Sequence, residues 1–474
     1  MPEADNAVCL SPRGQIVIRH PGVAAKRPSK GDGPLILRGS LRSHLRMTGL
    51  APDREERMKK TSWLFAALSI AALTFGASAA LAAENVKIGV LMPLTGNAAA
   101  AGQASKAAIE VAAEIVNNAH PELGNLPLAT TAGLPHLGGA KLDVVFVDHQ
   151  GNPSLAQQLA TRLVTEDKVN ALMGAYQSSC TFTATPVAER YGIPFMVGDS
   201  TALNITGRGF KYVFRATPIA TDFARTYMRF FSDMKKEGKT VNSIAIINEN
   251  TDYGTSVGDA IEAEAKKDNV PVGIRIPYSA SSTDVSAQVL QLKDRKPDVA
   301  IFISYTADSI LYIKTMKNFD YKPPMVLGDD SGFSDPSFVP AITDIGQGLM
   351  NRSAWDIGKP GSTTAKINDM YKAKTGRDLD DTSGRNLQGF LALAEAIDRA
   401  GSADPDKIRD ALTKTDLKPE QLMMGYQGIK FDPTGQNILA STYLIQLHGK
   451  RYELVWPEKA ATSELQWPMG GWGH

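Results

Sequence analysis

The chain has 474 residues, 43% of them hydrophobic and 21% charged, with a formal net charge of +1. That length suggests two or three domains with ample material for apolar cores. The near-neutral balance offers no electrostatic footing for nucleic acid or an anionic membrane surface, and no nucleic-acid-binding module is visible.

Processing signals come first in chain order. Met58-Lys59-Lys60 opens a positive region, the apolar run Trp63 to Leu73 follows, and Ala80-Leu81-Ala82 has the small-x-small form read by leader peptidases. This predicts a signal peptide at residues 58–82, cleavage after Ala82 and a periplasmic location. The apolar run is short for a membrane anchor, and no stop-transfer charges follow it. Residues 1–57 show no usable periodicity, and a leader beginning at residue 58 implies that translation starts at Met58. Cys9 falls in the discarded part, so Cys180 is left alone and the exported chain has no intrachain disulfide.

The exported part alternates apolar strands with amphipathic helices. "VKIGVL" (86–91) reads as a buried strand, 103–117 as a helix and "KLDVVFVD" (141–148) as a strand. Asn152 then caps a helix with Pro153 in its first turn. Strand "NALMGA" (170–175), a helix over 182–191 and strands "IPFMV" and "YVFRAT" complete the first series. A second series runs from a helix at 222–236 to strand "PMVLGDD" (324–330). Helices at 365–374, 386–400 and 405–413 follow, then a β segment whose "DPTG" is a turn, with Pro fixing φ and Gly accepting φ > 0. Two such series predict an α/β fold of two doubly wound parallel-sheet lobes. The late helices lack a sheet of their own and are expected to cover the first lobe, which makes each lobe discontinuous and joins them by a multi-strand hinge. The boundaries are 83–219 with 354–437 for the first lobe and 220–353 with 438–474 for the second. Residues 120–141, rich in Pro and Gly, are expected to form a surface flap or to lean on the cleft.

No cofactor or catalytic fingerprint is present. "GNAAAAGQ" lacks the spacing of a dinucleotide loop, no phosphate-binding loop occurs, and "GAYQSSC" is not a nucleophile elbow. His120, His136 and His149 lack metal-ligand spacing. No cofactor, metal or enzymatic activity is expected, and Cys180 reads as a small buried hydrophobe. Hydroxyls instead gather where ligands bind in doubly wound sheets, at the carboxyl ends of strands. Ser178 and Ser179 follow one strand and open a helix, where free N–H groups suit a carboxylate. Asp199, Ser200 and Thr201 follow the next strand. Tyr253, Tyr305 and Asp330 follow strands of the second series. Each taken singly fits a helix cap or a solvated loop residue equally well.

In order and spacing, "VKIGVLMPLTG", "GAYQSS…ATPVAERYGIPFM", "LNITGRGFKYVFRA" and "DYG" resemble the periplasmic solute-binding proteins of ABC importers, in particular the leucine/isoleucine/valine-binding type. The resemblance implies a type I periplasmic binding fold closing on a small-molecule ligand, an amino acid or a related carboxylate or amide, and a membrane permease as partner. It implies that Ser178 and Thr201 hold the ligand carboxylate, that Asp330 receives the ammonium, and that Tyr253 and Tyr305 line the cleft. The chain departs from the pattern at Ala101, where an aromatic usually covers the ligand, and at Asp199, where the family often has a small neutral residue. It also lacks the disulfide common near the site. A sensor of the same fold, or a hydrolase using Ser178 or Ser179, are the other classes.

Overall fold

The computed structural model describes residues 84–470, except Asp330, and Trp472. The expected leader at 58–82, the segment 1–57, Cys9 and Asp330 lie outside the described residues.

The first series forms β1 (Val86–Met92), α1 (Ala99–Asn117), β2 (Leu142–Asp148), α2 (Pro153–Thr165) and β3 (Ala171–Gly174). It ends with α3 (Ser178–Tyr191), β4 (Phe195–Val197) and β5 (Val213–Arg215). These strands make a parallel sheet in the order β2-β1-β3-β4-β5, with Ile88 opposite both Val144 and Ala171. The order reverses between β1 and β3, which opens a crevice beyond their carboxyl ends.

The second series forms α4 (Ala220–Lys236), β6 (Ile244–Glu249), α5 (Asp252–Lys267), β7 (Val272–Tyr278) and α6 (Ser286–Arg295). It continues through β8 (Val299–Ile303), α7 (Thr306–Asn318), β9 (Met325–Gly328), two short helices, α8 (Ser331–Ser334) and α9 (Phe338–Ile342), and β10 (Met350–Ser353). Then follow α10 (Thr363–Thr375), α11 (Asp381–Ala400), α12 (Pro405–Leu412) and a small pair, β11 (Asp416–Leu417) and β12 (Ile429–Lys430). The hairpin of β13 (Tyr443–His448) and β14 (Arg451–Trp456) joins the second sheet through β10, giving β14-β13-β10-β9-β8-β6-β7. Its parallel part repeats the topology of the first sheet, with its own reversal between β6 and β8.

Both sheets are covered on each face, as their continuous apolar strands require. In the first lobe, Ile109 and Ala112 of α1 share one core with Phe390 and Leu393 of α11. Leu163, Leu172 and Phe195 form the core on the other face. The late helices therefore do cover the first lobe. α11 starts at Asp381, five residues before the expected Asn386, because the Asp380 side chain accepts from Ser383 N at 2.9 Å and caps a start that reads as polar loop. Residues 120–141 lie largely at the surface, as expected of a flap, but are pinned to the first lobe. Leu123, Ala129 and Leu134 are buried in the first core, and His136 is held by Asp398 of α11 at 2.7 Å.

The chain crosses between the lobes three times, after β5, after β10 and before β13. Two crossings are laced together at Arg215, whose N–H donates to Gly435 O (2.8 Å) and whose carbonyl accepts from Asn437 N (2.9 Å). This close approach demands glycine at 435: φ is +81°, in the left-handed region, and an added Cβ would lie 2.0 Å from Val213 O. Gly435→Ala is expected to lower stability by about 2–3 kcal/mol, read by urea unfolding. An unchanged midpoint would mean that the crossings separate at little cost.

Candidate functional site

The carboxyl ends of β3 and β4 face those of β6, β8 and β9 across the space between the lobes. The turn from β3 into α3 is held open by a strained backbone. Tyr176 adopts φ +67°, unusual for a bulky residue and costing about 1–2 kcal/mol. Hydrogen bonds fix it on every side: Ala175 N donates to Thr181 Oγ1 (2.9 Å), and Ser200 Oγ donates to Tyr176 O (2.8 Å). His149 Nε2 donates to Ala175 O (3.0 Å) while its Nδ1 accepts from Gly151 N (3.1 Å), which fixes the neutral tautomer.

Ser178 and Ser179 occupy the first turn of α3, whose leading amides find no intrahelical carbonyl. Ser178 Oγ accepts from Ala202 N (3.3 Å), leaving its proton free to donate. Ser179 Oγ accepts from Asp252 N of α5 (3.4 Å), a contact between lobes. Thr201 Oγ1 is buried with no hydrogen-bond partner among the described residues, and the buried Tyr305 hydroxyl lies within reach of Thr251. The Tyr305 ring lies 5.9 Å from that of Tyr176 and 5.5 Å from that of Tyr253, making an aromatic wall shared by both lobes. Leu203 N donates to Ser256 Oγ (3.0 Å) at the rim, so the lobes meet across the cleft.

The other expected residues are committed elsewhere. Ser200 Oγ is tied to Thr181 Oγ1 (2.6 Å) as well as Tyr176 O, and frames the turn. Asp199 turns toward α11, where Arg385 Nη2 pairs with it at 2.6 Å; burial still pushes its pKa up against Arg385 and Arg352. Pairing of this kind is what makes a buried carboxylate tolerable here. The Tyr253 hydroxyl donates to Asp329, leaving its ring rather than its hydroxyl available. Ala101 is buried in the first core, the cluster that also holds Tyr176. Asp330 lies outside the described residues. Cys180 is buried, and burial pushes its thiol up to about 12, which leaves it inert.

A buried charge network absent from the sequence reading underlies the cleft. Arg385 Nε also pairs with Asp381 at 3.0 Å, and Asp381 accepts from Ser353 Oγ (3.0 Å) and Ala354 N at the second crossing. Burial raises the Asp381 carboxyl to about 6. In the second lobe, Asp329 accepts from Arg352 Nε (3.1 Å) and from the hydroxyls of Tyr227 and Tyr253. The Arg352 guanidinium lies 3.3 Å from the centre of the Phe223 ring. Glu249 is likewise spent, accepting from Thr251 N (2.6 Å), Thr251 Oγ1 (2.8 Å) and Gly254 N (2.6 Å). Beside this region runs a groove of about 1470 Å³, lined by Asp335, Tyr443 and Tyr452 from one lobe and by Trp355, Leu379 and Asp381 from the other. Among the described residues no group of His, Cys, Asp and Glu is arranged to hold a metal ion.

Residues 85–451 match the periplasmic binding protein family, and the chain belongs to it. The family is one of binding proteins of ABC importers rather than enzymes. A Leu/Ile/Val-binding protein homolog of Brucella suis is 29% identical over 421 residues, covering 85% of this chain and 98% of that protein. The fold matches a branched-chain amino acid transporter substrate binding protein of Streptococcus pneumoniae, solved with isoleucine, at a TM-score of 0.66 and 20% identity; 81% of this chain and 100% of that one are covered. It also matches a solute binding protein of an ABC transporter from Rhodopseudomonas palustris, solved with 3,4-dihydroxybenzoic acid, at a TM-score of 0.64 and 18% identity, covering 79% and 99%.

The buried His149 supplies a pH test of the turn that carries the site. Burial lowers its pKa from 6.5 to about 4. A histidine whose folded pKa is depressed stabilises the fold above its unfolded pKa and loses that contribution as pH falls from about 6.5 through about 4. The stability advantage of the wild type over His149→Gln should shrink over that window by on the order of 3 kcal/mol. Urea unfolding of both proteins at matched pH reads the difference; a constant advantage would mean that His149 is not held neutral.

Proposed function

We propose that this chain is the exported solute-binding subunit of an ABC importer, its leader at 58–82 removed, working in the periplasm. It captures a small carboxylate-bearing solute, a branched-chain amino acid or a close relative, and delivers it to a membrane permease. Its lobes comprise 83–219 with 354–437 and 220–353 with 438–474. The observation that carries the reading is the buried hydroxyl of Thr201, which meets no hydrogen-bond partner among the described residues and is set at a strand end beside the first turn of α3. Buried polar groups are normally satisfied, so such a hydroxyl next to the leading amides of a helix suits a polar head group that completes it. The first turn of α3, with Ser178, Ser179 and Thr201, takes the carboxylate, and the rings of Tyr176, Tyr253 and Tyr305 take the apolar part. The likeness to the Leu/Ile/Val-binding homolog and to the isoleucine-bound structure supports the same ligand class. Only the closed arrangement lets one solute touch both lobes, so binding favours closure, and the closed form is what the permease reads.

A second reading, a carboxylate without an ammonium, has its own support. Asp199, Asp329 and Glu249 are all consumed by internal partners, so none of these three is free to receive an ammonium. The neighbour solved with 3,4-dihydroxybenzoic acid fits that reading.

A thermal-shift panel of ligand-stripped protein separates the two, using leucine, isoleucine and valine, their deaminated acids, amides and aromatic acids. Solute at about a thousand times its dissociation constant stabilises the fold by about 4 kcal/mol. A shift with the amino acids that is lost in Asp330→Asn supports the zwitterion. A shift with aromatic acids alone supports the second reading, and no shift with any acid refutes both. Thr201→Val is expected to weaken carboxylate binding by about tenfold or more while leaving the unfolding midpoint nearly unchanged.

A further inference from the structure

The Thr201 loop and the hinge are held by one buried side chain that carries no ligand role of its own. Arg215, the last residue of β5, is 0% exposed. Its Nη1 donates to Ser200 O (3.2 Å) and Ala202 O (2.7 Å), the carbonyls on either side of Thr201. Nη2 donates to Thr206 Oγ1 (2.7 Å), further along the same loop. Nε donates to Gln436 Oε1 (2.7 Å), and the Gln436 amide donates on to Thr217 O (3.0 Å) at the first crossing. The guanidinium thus grips the cleft loop with two nitrogens and the hinge with the third.

Its electrostatic setting is unusual. Buried charges are normally paired, yet Arg215 is surrounded by neutral acceptors and forms no ion pair among the described residues. The carboxylate that acts on it at longer range, Asp222, is engaged in capping α4 at Ile219 N (3.1 Å). Burial lowers the Arg215 pKa to about 9, so it stays charged at neutral pH. The carbonyl and N–H of a trans peptide point in opposite directions. Drawing Ser200 O onto the guanidinium therefore turns Thr201 N–H away from it, where no acceptor among the described residues meets it. Thr201 is left with two unused donors, backed by an unneutralised positive charge.

We propose that Arg215 is the positioning and specificity-determining residue of the cradle. It sets the two Thr201 donors, biases the site toward an anionic over a neutral head group, and links that loop to the hinge through Gln436. The proposal rests on the reading of the cradle as a carboxylate site. Its mechanical half, the link from loop to hinge, stands on the hydrogen bonds alone.

The test uses the exported protein with Arg215→Gln and Arg215→Lys. Two quantities are measured: the ratio of affinities for an acid and its amide, and hydrogen exchange of the backbone. The probes are leucine with leucinamide and 3,4-dihydroxybenzoate with its amide. Arg215→Gln is expected to reduce the acid-over-amide preference by about tenfold, whereas Arg215→Lys, which keeps charge but loses the fork, retains most of it. In both variants exchange should rise together in residues 200–206 and 432–437. Equal loss of acid and amide binding, or faster exchange in only one of the two segments, would overturn the proposal. If no acid binds the wild type, the carboxylate reading and the specificity bias fall together, and the exchange data decide the link to the hinge. If Arg215→Gln does not fold, Arg215→Lys decides by itself: a retained preference with joint loosening supports the assignment, and a lost preference or separate loosening refutes it.

Discussion

Charge buried where the two lobes meet must be satisfied, by an opposite charge or by a full set of hydrogen bonds, and most of the site's architecture follows from that requirement. Asp199, Arg385 and Asp381 form a continuous chain from the end of β4 through α11 to the second crossing. Arg352 and Asp329 form a second pair in the other lobe, closed by Tyr227 and Tyr253. Removing one member of such a pair costs far more than the pair contributes, because the partner is left charged and dry. The network therefore specifies one way for α11 to sit against the crossings. It also consumes Asp199, Asp381 and Asp329, so hydroxyls, amides and rings make up much of what the described residues offer a solute.

The cleft residues divide between those that frame and those that are left unsatisfied. Ser200, Thr181 and His149 spend their hydrogen bonds on the strained turn at Tyr176. That turn aims the start of α3, and the Arg215 contacts aim Thr201 beside it. Thr201 keeps a buried hydroxyl without a partner among the described residues, a state that a folded protein tolerates where a ligand completes the set. The same topology in both sheets places these groups at facing strand ends, and the aromatic contacts of Tyr305 with Tyr176 and Tyr253 span the gap.

The alternation of apolar strands and helices made the two lobes legible, because a covered parallel sheet leaves a continuous apolar signature. Strand ends marked the hydroxyl cluster for the same reason. The start of α11 was not legible: apart from Leu379 and Gly384, "DLDDTSGR" is polar, and its burial depends on partners from beyond β4 and from β10 that are distant in sequence. Asp199 read as a departure from the site, since its partner Arg385 lies 186 residues away. Arg215 carried no local signal beyond an arginine ending an apolar strand. The commitment of Asp329 was not legible either, since its partner Arg352 lies 23 residues on.

The central claim is capture of a carboxylate solute by closure of two lobes. Small-angle X-ray scattering of ligand-stripped protein, with and without a saturating amount of the acid giving the largest thermal shift, tests it most directly. A smaller radius of gyration is expected with saturating solute, and, at a solute concentration near the wild-type dissociation constant, a larger value for Thr201→Val than for the wild type. Identical scattering with and without solute, under conditions where binding is shown independently, would contradict closure as the mechanism.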